Sequence, residues 1–155
     1  LFNHESPLRP ERFVTQKIVS AAARIALGSD ETLNLGNIDI VRDWGWAPDY
    51  VEAMWQMLQL EKPDDFVIAT GRSISLEYFI NQAFGHYGLE WQKHTTAHSD
   101  RHRPSDIPIS RANPASAHQR LGWRHQANVD EVIAHMCDAA TANVQTSSTV
   151  ASLQP

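Results

Sequence analysis

DDFVIATGRSISLEYFINQAFGHYG, residues 64–88, carries two different periodicities side by side. The run Phe66-Val67-Ile68-Ala69 is too short and too β-branched for a helix, and it reads as a buried strand of the kind found in parallel sheets. Ser75 then stands where a helix would be capped. Beyond it Leu76, Phe79, Ile80, Ala83, Phe84 and Tyr87 recur at spacings of three and four, and Gly88 supplies the left-handed stop. A strand over 65–70 followed by an amphipathic helix is the unit of an α/β chain.

The flanks extend that alternation. Residues 13–27 place Val14, Ile18, Ala22 and Ile25 on one helical face, and Gly28 follows. Pro48 presets the first turn of a second helix ending near Leu60, with Val51, Met54, Trp55 and Leu58 at i, i+3, i+4 and i+7 as its expected buried stripe. Asn113-Pro114 starts a short helix that Gly122 closes. Asn128 with Glu131 resembles a capping box for a last helix carrying Val129, Val132, Ile133, Met136, Cys137 and Ala140. Further strands are expected at Leu33–Leu35 and over 89–96, and Leu1-Phe2 has the look of the last two residues of another. Residues 141–155 are polar and aperiodic, which predicts a disordered tail after a single unit spanning 1–140.

Composition narrows the function classes. The 155 residues are one domain's worth of chain. A formal charge of −5 argues against a broad basic face for nucleic acid. No stretch approaches the run of about 20 apolar residues that a membrane helix requires. The single cysteine, Cys137, has no internal partner, which points to a reducing, cytoplasmic setting. The chain has no Gly-rich phosphate loop and no Tyr-x-x-x-Lys, so nothing in it would bind a dinucleotide pyrophosphate alone. His94, His98 and His102, with Asp100 among them, are spaced like metal ligands on a helix. The surrounding KHTTAHSDRHRP lacks an apolar stripe and reads instead as a strand running into a loop, so no metal site is assigned. Arginines number 10 against 3 lysines, which favours forked recognition of phosphate or carboxylate. Arg24, Arg72, Arg120 and Arg124 read as helix-end or surface residues. Arg9, Arg42 and Arg103 sit in turn-like contexts and are the better ligand candidates.

Four blocks then stop being generic: LFNHESPLRPERFVTQKI, LNLGNIDIVRDWGWAPDYVEAMWQML, DDFVIATGRSISLEYFINQAFGHYGLEW and RPSDIPISRANPASAHQRLGW. In this order, from residue 1 to about 138, they resemble the second half of the GDP-mannose 4,6-dehydratases, within the extended short-chain dehydrogenase/reductase superfamily. The resemblance implies an α/β fold: a C-terminal substrate-binding lobe with only the tail end of a Rossmann sheet. It also implies NADP as cofactor, GDP-mannose as substrate and a homo-oligomeric intact enzyme.

Residue by residue, the resemblance places Asn3 on the substrate diphosphate and His4 and Arg9 on NADP. Thr15 and Lys17 would line the GDP site near a helix N-terminus, where free N–H groups favour anions. Gly36, Asn37 and Arg42 would hold the guanosine and diphosphate, and Arg103 with Asp106 the ribose. Gln16 stands where the family usually has Arg, and Trp46 where it often has His. The family's catalytic Thr, Glu, Tyr and Lys lie upstream of the FNHESP block, so no catalytic residue is assigned in this chain. The alternative is a non-catalytic nucleotide-sugar-binding or subunit-docking module.

Overall fold

A computed structural model describes residues 1–97 and 107–152. Five short strands and four α-helices alternate along it: β1 Asn3–Glu5, α1 Val14–Ala26, β2 Leu33–Leu35, β3 Val41–Trp46, α2 Ala47–Leu58, β4 Ser73–Ser75, α3 Leu76–Gly85, β5 Thr95–Ala97 and α4 Val129–Ser152. One sheet has the order β1-β3-β4, with β1 parallel and β4 antiparallel to β3. Its register pairs His4 with Gly45 and Arg42 with Ile74. A second, two-stranded parallel sheet joins β2 to β5, with Asn34 opposite Thr96.

The helices lie where the periodicities put them. Ser75 Oγ accepts from Tyr78 N–H at 3.1 Å and caps α3. Asn128 Oδ1 accepts from Glu131 N–H at 3.2 Å while Glu131 Oε2 accepts from Asn128 N–H at 2.7 Å, completing a reciprocal cap at the start of α4. Gly28, Gly88 and Gly122 take positive φ angles of 101°, 69° and 70° at their stops. The short helix closed by Gly122 is a π turn, Ala117–Leu121. α1, α3 and α4 form the main core, with Ile18, Val19, Phe79, Ile80, Val132 and Met136 fully enclosed. A smaller core holds Tyr50, Ala53, Ile68, Ala117 and Trp123.

Several expectations give way. The stripe Val51, Met54, Trp55 and Leu58 is not buried; Trp55 is 60% and Leu58 81% exposed. α2 turns inward through Asp49, Tyr50 and Ala53 instead. The cause is an anchor at its first turn: Asp49 Oδ2 accepts from the N–H groups of Gln126 and Ala127 at 2.9 and 3.1 Å, and its carbonyl accepts from Trp123 Nε1 at 2.9 Å. Tyr50 and Ala53 on one side and the stripe on the other leave the helix two possible faces, and this anchor selects one.

The last helix does not stop at Ala140. α4 runs to Ser152, through most of the stretch expected to form a disordered tail. Tyr87 Oη reaches the Cys137 carbonyl at 2.8 Å and Thr141 Oγ1 at 2.9 Å, and Val144 packs on the main core. Residues 89–96 form a 3₁₀ turn at Trp91–Lys93 before the strand begins at Thr95. The first strand lies beyond Leu1-Phe2, at Asn3–Glu5.

The strand expected over 65–70 does not form as a regular ladder. Phe2 N–H donates to the Ile68 carbonyl at 3.0 Å. On the other side, Asp43 of β3 accepts from Thr70 N–H at 3.0 Å, Thr70 Oγ1 at 2.8 Å and Gly71 N–H at 2.8 Å. Arg42 lies within β3, not in a turn.

Candidate functional site

β1 alternates, as any strand does, so Asn3 and Glu5 face one side of the sheet and His4 the other. On the Asn3 and Glu5 side a cavity of about 210 Å³ is lined by Asn3, Glu5, Arg9, Thr15, Arg42 and Trp44. It shares Phe13, Val14 and Ile40 with a second cavity of about 460 Å³, whose polar wall is Arg12, Lys17, Asn34, Gly36 and Asn37. The two adjoin at Phe13, Val14 and Ile40 beside the first turn of α1, and the pair is called the trough below; unpaired backbone N–H groups there favour anions.

Each polar wall has a visible reason for its position. Lys17 Nζ donates to the Asn34 carbonyl at 2.6 Å and so ties α1 to β2. Asn37 Oδ1 accepts from Asp39 N–H at 2.9 Å, a local turn that shapes the loop after β2. Arg42 Nη1 donates to the carbonyls of Val41 at 2.8 Å and Pro108 at 3.4 Å, which lays the guanidinium against the strand. Arg9 Nη1 donates to the His4 carbonyl at 3.2 Å, its guanidinium sits 4.0 Å above the Phe13 ring, and Nε lies 3.1 Å from Glu5 Oε2.

Glu5 is the unusual member. It is 1% exposed, and Thr15 Oγ1 donates to the same Oε2 at 2.9 Å. Burial pushes its carboxyl up to about 7, outweighing the opposing pull of the Arg9 charge and the Thr15 hydrogen bond.

Seven of the sequence-marked residues therefore meet in the trough: Asn3, Arg9, Thr15, Lys17, Gly36, Asn37 and Arg42. His4 does not join them. Its ring packs 4.9 Å from that of Tyr50 and its Nδ1 lies 2.9 Å from the Phe2 carbonyl, on the opposite face of β1. Arg103 and Asp106 lie outside the described residues, as do His98, Asp100 and His102. Gln16 is buried and donates to Ser20 Oγ at 3.3 Å within α1. Among the described residues no group of three His, Cys, Asp or Glu side chains is placed to hold a metal ion. Arg24, Arg72 and Arg120 are occupied by Glu31, Asp130 and Asp64 respectively, as surface residues would be.

Glu5, Arg12, Phe13 and Trp44 line the trough without having been marked as candidates. For Glu5 the signal was available: two residues after Asn3 in a strand, it must face the same way. Arg12, just ahead of α1, and Trp44 of β3 reach the cavities through tertiary packing, which local sequence does not specify.

The chain can now be set beside known proteins. Residues 1–136 match the family model described as GDP-mannose 4,6 dehydratase. GDP-mannose 4,6 dehydratase 1 of Arabidopsis thaliana is 45% identical over 138 residues, covering 89% of this chain and 38% of its own length. The GDP-mannose 4,6 dehydratase of Homo sapiens is 40% identical over 156 aligned residues, covering 90% of this chain and 42% of its own. This chain thus spans about two fifths of the length of these relatives.

Solved structures agree on the fold. RMD from Pseudomonas aeruginosa, complexed with NADPH, superposes with a TM-score of 0.82 at 18% identity, covering 91% of this chain and 46% of that one. dTDP-glucose 4,6-dehydratase from Bacillus anthracis, in complex with NAD, gives 0.80 at 14% identity, covering 93% and 44%. With the blocks around Asn3, Arg42 and the 64–88 strand–helix unit all inside the matched span, this chain belongs to the GDP-mannose 4,6-dehydratase family.

Proposed function

We propose that this chain supplies the GDP-mannose-binding lobe of a GDP-mannose 4,6-dehydratase. The observation that carries the reading is the placing of Lys17 and Arg42, with the amides of Asn3, Asn34 and Asn37, around two adjoining cavities at the start of α1. Guanidinium and ammonium groups beside a helix N-terminus suit a diphosphate, and amide side chains suit a nucleobase edge or sugar hydroxyls.

The proposed reaction is an internal redox dehydration of GDP-mannose to GDP-4-dehydro-6-deoxy-mannose, with NADP as cofactor. NADP would accept a hydride from the sugar and return it. Arg9 fits a role toward that cofactor: its side chain is 27% exposed at the rim and carries a charge that a phosphate could meet. His4, on the other face of β1, would have to contact the cofactor from that side. The role proposed for this chain's own residues is to bind and orient the substrate. A cytoplasmic setting and a homo-oligomeric intact enzyme belong to the same proposal; among the described residues no helix is long and apolar enough to cross a membrane.

Titration calorimetry of GDP-mannose into the 155-residue chain tests the binding role. Saturable heat is expected, weakened about tenfold or more by Arg42→Ala or Lys17→Ala, since a hydrogen bond to a charged group is worth about 1.5–3 kcal/mol. Heat no larger than dilution, or binding indifferent to both substitutions, would refute the reading.

One observation favours a second reading as a docking subunit: the apolar stripe of α2 at Val51, Met54, Trp55 and Leu58 faces solvent. Sedimentation distinguishes it. A docking role predicts association that Trp55→Glu abolishes while GDP-mannose binding is kept.

A further inference from the structure

The larger cavity of the trough, about 460 Å³, sets apolar residues beside side chains that still have donors to give. Phe13, Val14, Leu35, Ile40 and Leu76 supply its apolar lining. Asn34 has its amide engaged: Nδ2 donates to the Thr32 carbonyl at 3.3 Å, and Oδ1 accepts from Thr96 Oγ1 at 2.6 Å. Asn37 Oδ1 is taken by Asp39 N–H at 2.9 Å, which leaves its NH₂. Lys17 gives one proton to the Asn34 carbonyl and keeps the others. Arg12 has no ion pair or hydrogen bond among the described residues. Its guanidinium rests 5.1 Å from the centre of the Phe13 ring with its fork of N–H groups unspent.

Donors of this kind call for a ligand edge that offers acceptors. Among purines that edge belongs to guanine, whose O6 and N7 are acceptors side by side, whereas adenine sets an NH₂ donor beside N7. A guanidinium matches the O6 and N7 pair with two parallel N–H bonds, where an ammonium makes only a point contact. Arg12 lines only the larger cavity, and Arg42 lines only the smaller one, with Asn3. That division puts Arg42 at the diphosphate end and Arg12 at the base end, beside Gly36 and Asn37.

We propose that Arg12 is a specificity-determining residue for the nucleobase: its guanidinium donates to O6 and N7 of guanine and so sets a preference for a guanosine over an adenosine diphosphate sugar. The inference rests on reading the trough as a GDP-mannose site, and it adds a residue which that reading does not use. The Phe13 ring beneath the guanidinium limits the sweep of the side chain, which lowers the entropy lost when the fork is fixed on a base.

Titration calorimetry with GDP-mannose and ADP-mannose tests it, because the two ligands differ only in the base. The wild-type chain is expected to bind GDP-mannose about tenfold or more tightly than ADP-mannose, the worth of one bidentate guanine contact. Arg12→Ala should lose about tenfold toward GDP-mannose and little toward ADP-mannose. Arg12→Lys keeps the charge and loses the fork, so its preference between the two should stay well below that of the wild type. Thermal unfolding should be the same in all of these proteins, since Arg12 is exposed and ties no other element in place.

An equal loss toward both ligands in Arg12→Ala would make Arg12 a general attractor for phosphate charge and overturn the proposal. An unchanged preference in Arg12→Ala, or a wild type that binds both ligands alike, overturns it too. Those results leave the GDP-mannose reading of the trough standing, provided that the GDP-mannose heat is saturable and falls with Arg42→Ala. No saturable heat with either ligand in the wild type refutes that reading, and the role of Arg12 with it.

Discussion

Asp43 offers the sharpest test of how this fold is tied together. It is 1% exposed in β3, and its two oxygens accept three hydrogen bonds from the segment before β4: Thr70 N–H at 3.0 Å, Thr70 Oγ1 at 2.8 Å and Gly71 N–H at 2.8 Å. Asp43→Ala removes both acceptor oxygens and with them all three hydrogen bonds. The Thr70 hydroxyl keeps another partner, the Arg72 carbonyl at 3.2 Å, but the two backbone N–H groups are left without theirs. At about 1–3 kcal/mol for each unsatisfied donor, the loss should be about 2–6 kcal/mol. Asp43→Asn keeps one carbonyl oxygen and points an NH₂ at the remaining donor, so it should lose less, about 1–3 kcal/mol. Urea unfolding followed by circular dichroism gives both values. Hydrogen exchange locates the effect, since the amides of Thr70 and Gly71 should be slow in the wild type and fast in Asp43→Ala. A loss below about 1 kcal/mol for Asp43→Ala, or equal losses for Ala and Asn, would show that this carboxylate does not hold the segment.

The remaining predictions concern other links. Glu5 has a folded-state carboxyl raised from the ordinary 4.5 to about 7, so the folded chain holds the extra proton between those values. Stability should therefore fall by about 3 kcal/mol as pH rises through that window and level off above it; Glu5→Gln should flatten this slope in pH-dependent unfolding, and an unaltered slope would refute it. Gly45→Ala would put a methyl group 2.7 Å from Tyr50 Oη and 2.9 Å from its Cζ, against a ring that is fully buried. A loss of about 1–3 kcal/mol is expected in thermal unfolding, and a wild-type midpoint would contradict that packing. Deleting 141–155 removes the Tyr87–Thr141 bond and the Val144 contact. It should cost about 1–3 kcal/mol and reduce helical ellipticity, whereas an unchanged protein would restore the idea of a disordered tail.

The legible parts of the fold are those whose cause is local. α3 and the start of α4 could be read because Ser75, Asn128 and Glu131 carry their own caps, and because their apolar residues have one dominant face. β3 could not. VRDWGW contains Asp and Gly and has no clean alternation; it is a strand because Asn3–Glu5 and Ser73–Ser75 pair on its two sides. The tail of α4 was illegible for a similar reason, since the Tyr87 and core contacts that hold Thr141 and Val144 come from α1 and α3 and their surroundings.

The candidate site divides along the same line. Sequence by itself determined the family and with it most of the trough, because residue types such as those of FNHESP and VRDWG are preserved in order along the chain, whatever their shape in space. Only the tertiary structure decided which side of β1 each residue serves, which face α2 turns inward, and that Glu5 stands against Arg9. Those outcomes depend on pairing and burial between segments far apart in the chain. Burial in particular is a property of the assembled lobe, and it is burial that turns Glu5 from an ordinary acid into a titrating wall of the trough.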